Sequence, residues 1–117
     1  MRTAIVGSRR YLNKKEVERI VSLTADHDII ISGGCRGVDT WAIEKAQELG
    51  RETKIFRPNF RAIKNKFEMI KRFYERNLKV AREADRIIAF VAPDRKGGTE
   101  NTIKQAQKLG KPVFIYD

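Results

Sequence analysis

A single cysteine, Cys35, rules out an internal disulfide. With only one histidine, His27, the chain also lacks the cluster of soft ligands that zinc or iron needs, so no metal is expected. No apolar run approaches the roughly 20 residues of a membrane-spanning helix, and no membrane partner is expected. The first residues, MRTAIVGSRR, return to charge after a short apolar run and do not fit a secretory signal. Together these absences lead us to expect a soluble, cytoplasmic protein. Two phosphate-binding motifs are missing as well. There is no G-x-x-x-x-G-K-[ST], so this is not a Walker-type NTPase. No G-x-G-x-x-G follows the first apolar run, and the second run ends in Ser32 rather than an acid for a ribose diol. That argues against a nicotinamide dehydrogenase, and no cofactor is expected. Acid is scarce: 15 Asp and Glu face 25 Lys and Arg, a net charge of +10. Such an excess suits an anionic partner, whether nucleic acid, nucleotide or phosphate metabolite. It equally suits a lysine-rich surface laced with ion pairs.

What is present reads as one globular domain over residues 1–117, with 41% hydrophobic residues. Apolar runs at Thr3–Val6, Asp28–Ser32, Thr53–Arg57, Arg86–Ala92 and Pro112–Tyr116 predict strands. Between them, helical spacing predicts a helix after Asn13, its expected N-cap, then helices over Val38–Leu49, Ile63–Ala84 and Glu100–Leu109. Gly50 and Gly110 close the second and fourth helices. Uninterrupted apolar strands are buried on both faces, and strict alternation with helices makes the sheet parallel. The expected fold is therefore α/β: a single three-layer Rossmann-like domain with a five-stranded parallel sheet in the order 3-2-1-4-5.

In such a sheet the stretches GSRR, SGGCRG and PDRKGGT follow strands one, two and four and meet at one edge. Open α/β sheets bind ligands there. Helix N-termini at that edge favour anions, and glycines let backbone approach a ligand closely. Arg9, Arg36 and Arg76 can fork onto phosphate oxygens. Gly97, Gly98 and Thr99 precede a helix, so their backbone N–H groups and the threonine hydroxyl can hold a phosphate, although Thr99 also suits a plain N-cap. Asp39 can accept from a ribose hydroxyl or orient Arg36. Cys35 reads as small filler and Trp41 as core, with base stacking as its other use.

In order and spacing, AIVGSRRY, IISGGCRGVDTWAIEKAQELG, YERN, ADRIIAF and GGTENTIKQAQKLGKPVFIY resemble the SLOG superfamily of Rossmann-like domains, and its small YspA-like branch in particular. Relatives include the Lonely Guy nucleoside-monophosphate hydrolases and DNA-processing protein A, which binds single-stranded DNA. The resemblance implies a nucleotide or nucleotide-derived ligand at the loop edge and a homo-oligomer, and a domain that binds such a ligand suits a sensor module. It maps the site to Gly7, Ser8 and Arg9; to Gly33, Gly34, Arg36, Gly37 and Asp39; to Arg76 and Asn77; and to Gly98 and Thr99.

Two alternatives stand beside ligand binding. One is hydrolysis of an N-glycosidic bond, with Glu100 or Asp39 as the acidic group. The Lonely Guy pattern PGG-x-GT-x-x-E is altered here, because Thr102 stands where the glutamate would be. Glu100 is displaced from that position by about 200° around a helix. The other alternative is single-stranded nucleic acid. Residues 61–82 carry eight basic residues against Glu68 and Glu75, interleaved with aromatics. Against it, Ile63, Phe67, Ile70, Tyr74, Leu78 and Ala81 recur at helical spacing and read as a core stripe.

Overall fold

Five short runs of branched and small apolar residues pair into one parallel sheet in the computed structural model, which describes residues 1–117. The strands are β1 (Arg2–Gly7), β2 (Ile29–Ser32), β3 (Thr53–Ile55), β4 (Arg86–Phe90) and β5 (Val113–Tyr116). The helices are α1 (Lys14–Leu23), α2 (Val38–Glu48), α3 (Lys66–Glu83) and α4 (Gly98–Lys108). The strand order is β3-β2-β1-β4-β5, the arrangement expected from the alternation of elements. Central β1 sets the register, with Ala4 between Ile31 of β2 and Ile87 of β4.

Side chains alternate across the sheet, so it builds two cores. Ile5, Ile30, Ile88 and Phe90 face α1 and α2, while Ala4, Val6, Ile31, Ile87 and Ala89 face α3 and α4. Each fully buried branched side chain contributes roughly 1.5–3 kcal/mol. Trp41 is half-buried and packs against the core on the α1 and α2 side. No helix is long and apolar enough to cross a membrane.

The helices begin in two ways. Asn13 accepts from Glu16 N at 3.2 Å and Asn65 from Glu68 N at 2.9 Å, so α1 and α3 are capped by side chains. In contrast, α2 and α4 follow Gly37 and Gly97 and have no side-chain cap. Both uncapped starts lie at the carboxyl edge of the sheet.

The stripe on α3 departs from expectation. Ile63 precedes the helix, Phe67 is 77% exposed, and Ile70 and Tyr74 are also exposed. Only the later turns, through Val80 and Ala81, cover the sheet. The cause is length. Eighteen helical residues span about 27 Å, whereas a four-residue strand spans about 13 Å. The first turns of α3 therefore run past the carboxyl edge of the sheet and stand over the loops.

Candidate functional site

The overhanging turns of α3 and the loops after β1, β2 and β4 enclose a cavity of about 410 Å³. Gly7, Ser8 and Arg9 enter it from the first loop, Gly33, Cys35 and Asp39 from the second, and Gly97, Gly98 and Thr99 from the last. Ile70, Phe73, Tyr74, Arg76 and Asn77 form the α3 wall.

Asp39 holds two of the loops together. Its Oδ1 accepts from Gly7 N at 3.3 Å, and its Oδ2 from Gly33 N at 3.2 Å and Cys35 N at 3.3 Å. Backbone donors that would otherwise face a ligand are thus turned onto an internal carboxylate. Asp39 is only 4% exposed. Burial pushes its pKa up to about 6, against the pull of those three N–H donors and of the Arg76 charge. Gly7 has a second reason to lack a side chain, since a Cβ there would sit 2.5 Å from Val38 Cγ2. Its glycine lets the end of β1 approach the start of α2.

Arg76 and Asn77 tie α3 to two different loops. Arg76 Nη1 donates to the carbonyls of Gly33 and Phe56, and Nη2 to Cys35 Sγ at 3.4 Å. Asn77 Nδ2 donates to Gly98 O at 3.3 Å and to Asn101 Oδ1 at 3.2 Å. Both residues are buried, and most Arg76 donors are committed inside the chain. Cys35, half-buried on the cavity wall, is a neighbour of this arginine rather than of any histidine.

What stays open is the start of α4. Its first N–H groups have no capping side chain, and Gly97 adopts φ +101°, a conformation that favours glycine. Thr99 is half-exposed beside them. Glu100 points elsewhere: Arg95 holds its carboxylate through Nε at 2.8 Å and Nη2 at 2.9 Å, and it lines neither cavity described here. Gly37 also lies outside both cavities, at the start of α2.

A second cavity of about 350 Å³ adjoins the first and shares Arg9, Gly33, Cys35, Phe73 and Arg76 with it. Gly34 and Arg36 belong to this second space, together with Arg57 and Phe60. Arg9, Arg36 and Arg57 are exposed and make no salt bridge, whereas Arg10 is paired with Asp94. Phe60 meets Phe73 edge-on, ring centroids 5.4 Å apart.

Sequence reasoning missed Arg57 and read Ile70 only as core, while Phe73 and Tyr74 entered it as aromatics of the single-stranded nucleic-acid alternative and not as a wall of the nucleotide site. The signal was there in the mismatch between an 18-residue helix and four-residue strands.

Solved structures share this architecture. DNA processing protein A (DprA) from Streptococcus pneumoniae superposes with a TM-score of 0.79 over 97% of this chain, at 21% sequence identity. This chain has the fold of the matched half of DNA processing protein A. It spans about half of that protein, since the match covers 49% of DprA. At 21% identity the likeness is one of fold. A looser match, TM-score 0.52 at 14% identity, is the C-terminal domain of the PF1911 hydrogenase from Pyrococcus furiosus, covering 97% of this chain and 89% of that one. No protein-family model matches the sequence, and no curated protein does.

Proposed function

We propose that the first cavity binds a nucleotide or a nucleotide-derived phosphate. One observation carries this reading: the uncapped start of α4 opens into a cavity whose facing wall is Ile70, Phe73 and Tyr74. A phosphate satisfies the free N–H groups of Gly98 and Thr99, with Arg9 closing over it. A base lies against the apolar wall of α3. Arg76, Asn77 and Asp39 hold the loops in place, and Gly7, Gly33 and Gly34 allow their close packing.

Binding is preferred to hydrolysis because both candidate acids are occupied. Asp39 accepts three backbone N–H bonds and Glu100 is held by Arg95. Single-stranded nucleic acid is the second reading, favoured by the adjoining cavity with Arg9, Arg36 and Arg57. The DNA-processing name of the DprA match, whose fold this chain shares, points the same way.

Titration calorimetry separates these readings, using AMP, CMP, ADP-ribose, NAD, inorganic phosphate and a single-stranded DNA oligomer across a salt series. Saturable binding of one mononucleotide with a shallow salt response supports the nucleotide reading. Binding of the oligomer alone, falling steeply with salt, replaces it with the second. Release of free base from a bound nucleotide would restore the hydrolase.

A further inference from the structure

The two edges of the sheet are built differently. Edge β3 is three residues long, carries Lys54 and is followed by Arg57 and Pro58, devices that discourage pairing with another strand. Edge β5 has none of them. Pro112 to Tyr116, PVFIY, contains no charge, and its only proline precedes the strand. Phe114 is 48% and Ile115 43% exposed, and they are the only large apolar strand residues that are exposed.

The backbone of this edge is also unpaired. Pro112 O and Tyr116 O accept from Ile87 N and Val91 N of the β4 side, at 2.9 and 2.8 Å. Ladder bonds alternate along a strand, so Val113 and Ile115 direct their N–H and C=O groups outward.

We infer that β5 pairs with β5 of a second copy of this chain, antiparallel, about a two-fold axis through Phe114. The sequence around that axis is self-complementary. Val113 falls opposite Ile115 of the second copy, both on the α3 and α4 face, with outward N–H and C=O groups facing each other. Phe114 falls opposite Phe114 of the second copy as the close, non-hydrogen-bonded pair. Lys111, whose ammonium is held by the carbonyls of Arg82 and Ala84, falls opposite Asp117 of the second copy, so opposite charges flank the strand at both ends without a direct ion pair. On a chain with net charge +10, this neutral stretch with complementary ends is where two copies can meet without repulsion. The result is one continuous ten-stranded sheet with an isologous interface.

The register makes a covalent test. Residues at a non-hydrogen-bonded pair have Cα atoms about 4.5 Å apart, within disulfide reach. In the 117-residue chain with Cys35→Ser, Phe114→Cys should oxidise to a covalent dimer. Phe67→Cys, at the more exposed position on the α3 overhang, should not. In light scattering the unaltered chain should run as a dimer, and Ile115→Lys as a monomer with an unchanged circular dichroism spectrum. Asp117→Lys should weaken the dimer. A monomeric unaltered chain up to millimolar concentration overturns the inference. So does a dimer that survives Ile115→Lys, or one that Phe67→Cys crosslinks in place of Phe114→Cys.

Discussion

Arg76 donates through Nε to the side-chain carbonyl of Asn77 at 2.9 Å, and the two adjacent residues then reach to opposite sides of the cavity. Arg76 reaches the loop after β2, and Asn77 reaches the start of α4. One turn of α3 thereby fixes the spacing between the two loops. Replacing Arg76 by alanine leaves the buried carbonyls of Gly33 and Phe56 without this donor and should cost about 2–4 kcal/mol in urea unfolding. Asn77→Ala should cost about 1 kcal/mol, yet weaken nucleotide binding more than that loss suggests, because it frees the phosphate end.

Asp39 should leave a signature in stability against pH. Its carboxyl is raised by burial from 3.8 to about 6, so the folded state holds the proton more tightly than the unfolded state. Stability from this group is greatest below 3.8, falls as pH rises to about 6, and is level beyond. The whole fall is at most about 3 kcal/mol. Carboxylates held low, such as Glu16 by Arg19 and Asp94 by Arg10, act in the opposite sense and below about 4.5. Urea unfolding between pH 5 and 6 should thus show falling stability in the natural chain and a flat response in Asp39→Asn. A flat response in both would place the Asp39 pKa in the ordinary carboxylate range.

Gly7→Ala tests the contact between the end of β1 and α2. An added methyl would meet Val38 Cγ2 at 2.5 Å and should destabilise by about 1–3 kcal/mol. Val38→Gly in the same chain removes the obstacle, because Val38 Cβ itself would lie 2.6 Å from the new methyl and must go with the two Cγ atoms. The double variant should then melt above the value expected from adding the two single losses.

Arg51 supplies a prediction far from the site. Buried at 8% exposure, it donates to the Val21 carbonyl and to Thr24 Oγ1 at 2.7 Å, closing the C-terminus of α1. Arg51→Met should lower stability by about 2–3 kcal/mol while leaving nucleotide affinity unchanged. Melting curves and calorimetry on the same sample decide it.

Affinity should respond to Arg9 and Tyr74 separately. Arg9→Ala should reduce nucleotide binding about 10-fold or more, the loss of one charge-assisted contact. Tyr74→Phe should change it little and Tyr74→Ala substantially, if the ring acts by its face. Equal losses for both Tyr74 variants would assign the hydroxyl rather than the face.

By itself the sequence determined the order of elements, the parallel sheet and the edge at which GSRR, SGGCRG and PDRKGGT meet. Period and apolar run length are local properties, and a parallel sheet follows from them by geometry. Tertiary structure alone decided how the residues at that edge divide their work. Asp39 reads as a ligand contact because its helix position favours an anion, yet its partners are Gly7 and Gly33, which are 32 and six residues away. Arg76 finds Gly33 across 43 residues. The α3 stripe reads as continuous core because helical spacing carries no information on where the sheet beneath it stops. A periodic pattern specifies a face; what lies against that face is set by the lengths and packing of other elements.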